Sequence, residues 1–337
     1  SFLIFVFLLS TAVIWLSGIS ITKAVDKITT HYNLGEAFGG VVFLAIVTNL
    51  PEIAITVVAS IRKEYDIAIS NLLGGIAIQT VVLVLIDVFG VGRKAALTYK
   101  GHSKVLVIEG AALILILAVV LTGHLFPNDI VLLRGTIFEW GILFIWLYSI
   151  YYTSKLFKSE LSHCKHIHRS KKLPTQPFKG TIQSAFITLI VGGVLTLLTG
   201  WSLAVSGEIL SIRWGISGIV FGATILAFCT ALPEISTGIA SAKIRDYEMA
   251  VSDIFGGNAF LPVLFLMATM IGGDHLLPSL KLSDIYLTII GIILTAIYMI
   301  GMVLHSRKQV LSMGYDSFIV LIVYLFSIWG LFYLVSN

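Results

Sequence analysis

The stretch VTNLPEIA occupies residues 47–54 of a strongly apolar run. It contains an amide, a proline and a carboxylate, namely Asn49, Pro51 and Glu52. A near copy, CTALPEIS, occupies residues 229–236 of a second apolar run. Proline lacks an N–H and its ring clashes with the carbonyl four positions back, so it breaks or kinks a helix. Each stretch therefore predicts a broken helix with free carbonyls beside a carboxylate.

The composition of the whole chain indicates a polytopic, all-α membrane protein. Hydrophobic residues make up 57% of the 337 positions and charged residues 12%, and the mean hydropathy is +0.99. A soluble domain of this length needs far more charge on its surface. Apolar stretches of about 20 residues, enough for a helix to cross a bilayer, occur ten times. We place these predicted transmembrane helices at 2–22, 35–61, 66–91, 103–122, 129–154, 181–206, 214–242, 246–272, 282–304 and 314–335.

A polar, basic linker at residues 155–180 divides the ten predicted spans into five and five. We therefore predict a first five-helix repeat at 1–154, the linker, and a second five-helix repeat at 181–337. Loops on the linker's side of the membrane hold 17 of the 22 Lys and Arg residues. The positive-inside rule then predicts a cytoplasmic linker and both termini outside.

An internal repeat supports this division. Shifted by 182 positions, residues 40–90 align without a gap with residues 222–272. Apolar composition alone produces matching Leu and Ile, but not paired Pro-Glu and Gly-Gly at one fixed offset. Because each half has an odd number of spans, the second half must enter the membrane from the opposite side. Inverted repeats of this kind are typical of secondary transporters, whose site lies at the repeat interface near the midplane.

Each repeat gathers oxygen ligands around its glutamate. The proline frees the carbonyl four positions earlier, which lipid tolerates only where protein, water or an ion satisfies it. A threonine adds a hydroxyl one turn before the glutamate, and these are the hard oxygen ligands that Ca²⁺ prefers. A carboxylate in the membrane costs about 2.5–3.5 kcal/mol and usually marks a transport pathway. The residues are Val47, Thr48, Pro51 and Glu52 in the first repeat and Cys229, Thr230, Pro233 and Glu234 in the second.

A second shared segment reads SNLLGGIAIQ at 70–79 and SDIFGGNAFL at 252–261. Paired glycines let another helix approach closely, which would bring the broken helices and their glutamates against these spans. The close-packing residues are Gly74, Gly75, Gly256 and Gly257, and the further polar candidates are Asn71, Gln79, Asp253 and Asn258. Asp253 aligns with Asn71 and is predicted to serve a separate relay or a cytoplasmic-side network.

The two repeats resemble the signature repeats of the calcium/cation antiporter (CaCA) superfamily, which includes sodium/calcium and proton/calcium exchangers. The likeness rests on the repeated TxLPE motif, the Gly-Gly-x-Ala segment that follows it, and the plan of five plus five spans. It implies a cation antiporter in which Glu52 and Glu234 are the central cation ligands. It further implies that the flanking ion sites are lined by Thr48, Thr230 and the backbone of Ala45 and Ala227.

Departures from the family pattern bear on the coupling ion. Family sodium/calcium exchangers usually place Ser where this chain has Gly75 and Gly257, and many carry Asn and Asp where it has Gln79 and Leu261. They usually read GTS before LPE, where this chain has VTN and CTA. Two carboxylates neutralise one Ca²⁺ or two protons, whereas three Na⁺ would leave excess positive charge in a low-dielectric region. The sequence therefore favours exchange of Ca²⁺ for protons, with sodium/calcium exchange as the alternative.

Two other classes of function remain open. A cation channel would suit broken helices and glutamates in the membrane, but inverted repeats favour alternating access. An intramembrane enzyme could hold a catalytic metal on two glutamates, but the sequence has no HExxH motif and no histidine inside a predicted span. We expect no cofactor and no nucleic acid partner. The expected partners are the lipid bilayer and inorganic cations, and the oligomeric state is left open.

Four other acids are not assigned to the cation site. Asp87 and Glu36 lie near the ends of predicted spans and are expected at the membrane interface. Glu109 and Glu139 lie on the fourth and fifth spans. Each is predicted to form structural hydrogen bonds or to pair with Arg134 rather than to bind an ion.

Overall fold

The computed structural model describes residues 2–32, 43–91, 95–126, 131–163, 178–243 and 245–336. These residues form fifteen α-helices and two short β-hairpins. The first half contains α1 (Phe2–His31), α2 (Phe43–Thr48), α3 (Leu50–Arg62), α4 (Tyr65–Ile86), α5 (Leu97–Lys100), α6 (Lys104–Leu125), β1 (Val131–Leu132), β2 (Gly135–Thr136) and α7 (Ile137–His163). The second half contains α8 (Ile182–Trp214), α9 (Gly218–Phe221), α10 (Ala227–Thr230), α11 (Leu232–Lys243), α12 (Tyr247–Phe260), α13 (Val263–Gly272), α14 (Leu282–Leu304), β3 (Gln309–Val310), β4 (Met313–Gly314) and α15 (Tyr315–Ser336). π-Helical turns at Asp87–Val91 and Gly222–Leu226 continue α4 and join α9 to α10.

Seven helical segments of the described chain are long and apolar enough to cross a membrane, and the bent segment α9–α11 makes an eighth. The seven contain α1, α4, α6, α8, α12–α13, α14 and α15. The chain is therefore a multi-pass helical membrane protein. Each of the ten predicted stretches overlaps at least one helix, and several of the helices are longer than predicted. The helix in the fifth stretch, α7, continues to His163 and so enters the predicted linker; residues 164–177 of that linker lie outside the described part of the chain.

Both predicted helix breaks are present. The first lies at Asn49, where φ is −88° and ψ is 15°, between α2 and α3. The second lies at Ala231, where φ is −82° and ψ is 0°, between α10 and α11, and the two limbs are bent by 46°. Each proline then falls in the first turn of the following helix, where its missing N–H is not needed. The broken helices therefore expose two sets of terminal backbone groups at equivalent places.

The backbone also repeats where α3 and α11 end. Lys63 and Arg245, 182 positions apart, both adopt a left-handed conformation, with φ of 58° and 68°. In each turn two N–H groups donate to carbonyls three and five positions earlier, a pattern that satisfies the last carbonyls of a helix. The bonds join Lys63 N to Ser60 O (3.3 Å), Glu64 N to Ala59 O (2.9 Å), Arg245 N to Ala242 O (2.9 Å) and Asp246 N to Ser241 O (2.9 Å).

The two hairpins form a further equivalent pair. β1 and β2 lie between α6 and α7, and β3 and β4 lie between α14 and α15. Each is antiparallel with a two-residue turn. The turn residues Leu133, Arg134, Leu311 and Ser312 all have positive φ, as a tight hairpin turn of the I′ type requires.

Helix α4 lies in the centre of the molecule, where most of its residues are buried. A Cβ on Gly74 would clash with the backbone of Ala223, so α4 packs directly against the π-helical turn of the second half. By contrast, a Cβ on Gly75 would lie an ordinary 3.5 Å from the side chain of Leu261. Close helix contact therefore depends on the first glycine of this pair.

This difference gives a test of the packing. We expect Gly74→Ala to lower the free energy of unfolding by about 1–3 kcal/mol, the usual cost of overpacking a close contact. The matched control, Gly75→Ala, has room for its methyl group and should leave stability nearly unchanged. The midpoint of thermal unfolding in detergent measures both. Equal losses in the two variants would contradict this packing.

Asp87 lies directly after α4, and its place at the membrane interface stays a prediction. Its side chain is fully buried and accepts hydrogen bonds from the backbone of Leu97 (2.8 Å), the backbone of Gly314 (2.7 Å) and the hydroxyl of Ser317 (2.7 Å). The carboxylate thus ties the end of α4 to the β3–β4 hairpin. Position near a span end does not reveal that distant loops fold over this residue. Glu36 lies outside the described residues.

Glu109 and Glu139 form structural hydrogen bonds. Glu109 accepts a hydrogen bond from Ser252 on α12 at 2.9 Å. Glu139 accepts one from the backbone of Thr136 at 2.8 Å and one from the Thr269 hydroxyl at 2.5 Å. The sequence analysis offered structural hydrogen bonds or pairing with Arg134 for these acids. The structure shows the hydrogen bonds.

Candidate cation-binding site

The glutamates of the two TxLPE motifs lie directly after the two helix breaks. Glu52 is in the first turn of α3 and Glu234 is in the first turn of α11, where the helix dipole favours negative charge. Their exposed fractions are 0% and 1%. None of their four carboxylate oxygens has a hydrogen-bond partner among the described residues. A buried, charged carboxylate without a partner is costly. Protons or a cation are therefore needed to neutralise the negative charge of the two glutamates.

The two glutamates lie close enough to interact electrostatically. Thr230 of the second repeat lies beside Glu52 of the first, and its hydroxyl donates to the Ala227 carbonyl at 3.1 Å. Thr48 is also buried, with 3% of its surface exposed. The structure thus brings both predicted glutamates together with a threonine. The side chain of Ala45 lies outside the described part.

The surroundings of the glutamates are polar on one flank. A Cβ on Gly257 would lie 3.3 Å from the side-chain amide of Asn49 and 3.7 Å from that of Gln79. Both amides are buried, and neither polar atom of Gln79 has a hydrogen-bond partner within the described ranges. Amide oxygens are suitable ligands for hard cations. This flank therefore offers supplementary ligands.

The equivalent flank is apolar. In the repeat, Ala231 takes the place of Asn49, Leu261 that of Gln79, and Gly75 that of Gly257. The side chain of Leu261 lies close to Gly75, since a Cβ on that glycine would be 3.5 Å from it. Two structurally related flanks thus differ in chemistry, since only the first carries side-chain amides at these positions.

The remaining candidates lie around this centre. Asn258 is buried and donates to the Ile76 carbonyl and the Thr80 hydroxyl, both at 3.3 Å, while its own carbonyl oxygen has no partner among the described residues. Asn71 is buried, and both its polar side-chain atoms lack a partner within the same residues. Asp253 accepts a hydrogen bond from Thr237 at 3.0 Å. Gly256 is half-buried.

Sequence reasoning missed Thr237. Its hydroxyl lies one turn after Glu234 and binds Asp253 on α12. The signal was present, because residues three apart share a helix face. The described residues contain no group of three or more His, Cys, Asp or Glu side chains that could hold a metal ion. The centre is instead a pair of carboxylates supplemented by neutral oxygens, which suits a cation that is bound and released.

The sequence model for the sodium/calcium exchanger protein family matches residues 2–157 and 184–333. The chain belongs to this family. The two exchanger-family segments leave residues 158–183 between them, which include most of the predicted linker. Among the relatives, the inner membrane protein YrbG of Escherichia coli (strain K12) is 26% identical over 266 residues, covering 77% of this chain and 78% of YrbG.

Solved structures of exchangers share the fold. The sodium-calcium exchanger NCX_Mj has a TM-score of 0.62 and 21% identity, with 97% of each chain covered. The H⁺/Ca²⁺ exchanger CAX has a TM-score of 0.67 and 10% identity, with 98% of this chain and 87% of CAX covered. These structural neighbours include both a sodium-coupled and a proton-coupled exchanger. The shared fold agrees with the family match, which makes this chain a membrane protein of the sodium/calcium exchanger family.

Proposed function

We propose that this family member is a secondary-active antiporter that exchanges a divalent cation, Ca²⁺, for protons by alternating access. The observation that carries the proposal is a pair of buried carboxylates, Glu52 and Glu234, which lie at equivalent helix breaks and have no hydrogen-bond partner among the described residues. Two carboxylates match the charge of one Ca²⁺ or of two protons. Each cargo therefore leaves a neutral site, which a low-dielectric environment favours.

The proposal includes ten transmembrane helices in two inverted repeats, residues 1–154 and 181–337, joined by a cytoplasmic linker at 155–180, with both termini outside. The helix breaks and the turns at Lys63 and Arg245, each related by the 182-residue offset, support the repeat. The placement of Lys and Arg supports the orientation. Inversion would bring the two glutamates to the repeat interface, where such transporters bind their cargo.

The ligands that we propose are the carboxylates first, followed by neutral oxygens. The neutral ligands are Thr48, Thr230, Asn49, Gln79, Asn258 and the backbone of Ala45 and Ala227. Pro51 and Pro233 fix the breaks that free the backbone groups, and the glycines of α4 and α12 allow close approach. No resident cofactor is needed, because the bound cation is the cargo.

The coupling ion is inferred from charge and from the unequal flanks. A site that bound several Na⁺ would need neutral ligands on both sides of the carboxylate pair. Here the flank with Ala231 and Leu261 supplies no side-chain oxygen at those two positions, which supports protons. The amides of Asn49 and Gln79 on the other flank favour sodium/calcium exchange as the second candidate, because they would suit one Na⁺.

An antiporter and a channel differ in how flux depends on the opposite side. At zero membrane potential an antiporter still requires an exchangeable ion on the far side, whereas a channel passes Ca²⁺ without one. Labelled Ca²⁺ uptake into proteoliposomes held at zero membrane potential, with and without internal Ca²⁺ at equal pH, makes this comparison. We expect saturable uptake that internal Ca²⁺ stimulates. Uptake that rises linearly and ignores internal ions would replace the proposal with a channel.

A further inference from the structure

A third carboxylate lies next to the glutamate pair. Asp253 on α12 accepts a hydrogen bond from the Thr237 hydroxyl at 3.0 Å. Thr237 lies three residues after Glu234 on α11, and so on the same face one turn further along. Asp253 also lies close enough to Glu234 to interact with it electrostatically. Glu234, Thr237 and Asp253 thus follow one another away from the centre, and a hydrogen bond joins the last two.

This series has no counterpart in the other half. At the equivalent positions the first repeat has Ile55 and Asn71. Ile55 is fully buried and apolar, and Asn71 is buried and cannot ionise. Asp253, by contrast, is only half-buried. The series of oxygens therefore leaves the carboxylate pair in one direction, along α11 and α12.

That direction leads to an open cavity of about 890 Å³. The cavity is lined by Gly90, Val91, Tyr99, Lys100, His102, Ala242, Lys243, Arg245 and Tyr247. Tyr247 is six residues before Asp253 on α12, which is about 9 Å along the helix axis. Helix α8 begins after the linker and runs away from it, and the segment α9–α11 runs back towards the linker's end. The cavity is lined by residues at the end of α11, so it lies at the linker's end of the molecule.

The opposite end is built differently. The repeat equivalents of Arg245 and Tyr247 are Lys63 and Tyr65. Tyr65 donates a hydrogen bond to Asp274 at 2.8 Å, and the Lys63 ammonium lies 3.3 Å from the same carboxylate. These contacts lower the pKa of Asp274, first through the Tyr65 hydroxyl. Arg245 and Tyr247 thus line a cavity at the linker's end, whereas their repeat equivalents at the opposite end, Lys63 and Tyr65, are bound to Asp274.

We propose that Asp253 is the group that passes protons between Glu234 and the linker-side cavity. The inference rests on the proposed proton coupling and adds a route to it. In the transfer, a proton leaves the Glu234 carboxyl through water, is held on Asp253, whose carboxylate the Thr237 hydroxyl orients, and is then released to water in the cavity. Other acids near Asp253 are Glu109 on α6, which binds the neighbouring Ser252, and Glu248 on its own helix.

Two modes of transport separate this role from cation binding. Uptake of labelled Ca²⁺ driven by a pH gradient requires proton transfer, whereas exchange of labelled for unlabelled Ca²⁺ at equal pH does not. A positioned proton-transfer group contributes about 10²–10⁴-fold, and water in the cavity can replace part of this. We therefore expect Asp253→Asn to slow proton-driven uptake about tenfold or more while changing Ca²⁺/Ca²⁺ exchange less than about twofold.

The conservative variant and a matched control complete the experiment. Asp253→Glu retains a carboxyl and should restore most of the proton-driven rate. Glu248→Gln removes an acid from the same helix outside the series and should leave both modes nearly unchanged. Equal loss of both modes in Asp253→Asn, or no loss in either, would overturn the role. Failure of the proposed function looks different, because the wild-type protein itself would then ignore the pH gradient.

Discussion

Replacement of either Glu52 or Glu234 by glutamine is expected to abolish divalent cation exchange while the protein stays folded. Each change removes half of the negative charge that faces the cation. A bound Ca²⁺ would then carry one uncompensated positive charge in a buried place, and removal of one partner from a buried pair costs about 3–5 kcal/mol. Affinity should therefore fall about 100-fold or more.

The fold should tolerate these two changes for a specific reason. The carboxylate oxygens have no hydrogen-bond partners among the described residues, so glutamine breaks no such contact and keeps the side-chain shape. We expect the midpoint of thermal unfolding to stay level or to rise, since a costly buried charge is removed. Labelled Ca²⁺ uptake and thermal unfolding are measured on the same purified samples, with Glu248→Gln as control. Ordinary turnover in either glutamine variant would refute the site.

Affinity for the divalent cation should fall steeply as the pH is lowered. Carboxylates bind a metal ion only when they are deprotonated, so binding releases protons. Below the titration range of the pair, protons occupy both glutamates and must leave before Ca²⁺ binds. With two protons released per ion, the dissociation constant rises about 100-fold for each pH unit. Above that range the affinity becomes independent of pH. The two groups titrate as a coupled pair, so the curve reports apparent values only.

Calorimetric titration of the purified protein with Ca²⁺ at several pH values measures this slope. Repeating the titrations in buffers of different ionisation enthalpy counts the released protons directly. Glu248→Gln is again the control and should keep the wild-type slope. Affinity that does not change with pH, or release of no protons, would contradict competition at the glutamate pair.

The sequence predicted the part of the site that depends on local chemistry. Pro51 and Pro233 fix helix breaks through their own covalent structure, and the structure has those breaks two residues earlier, at Asn49 and Ala231. The internal repeat could also be predicted, because the Pro-Glu and Gly-Gly pairs both recur at the same offset of 182 residues. Family membership followed from these motifs.

Contacts between distant segments could not be predicted in this way. The burial of Asp87 depends on the backbone of Leu97 and Gly314, and nothing local to residue 87 indicates those partners. The bond between Thr237 and Asp253 depends on how α11 packs against α12. The polar flank likewise appears only when Asn49 and Gln79 from the first half meet Gly257 of the second.

The central claim is that the glutamate pair takes either a divalent cation or protons. Its most direct test is uptake of labelled Ca²⁺ into sodium-free proteoliposomes after a pH jump that makes the interior acidic. We predict that Ca²⁺ accumulates above its external concentration, that a protonophore abolishes the accumulation, and that Glu52→Gln and Glu234→Gln show none. No uptake after the pH jump, together with uptake in parallel proteoliposomes that carry a Na⁺ gradient instead, would contradict the claim and leave sodium/calcium exchange in its place.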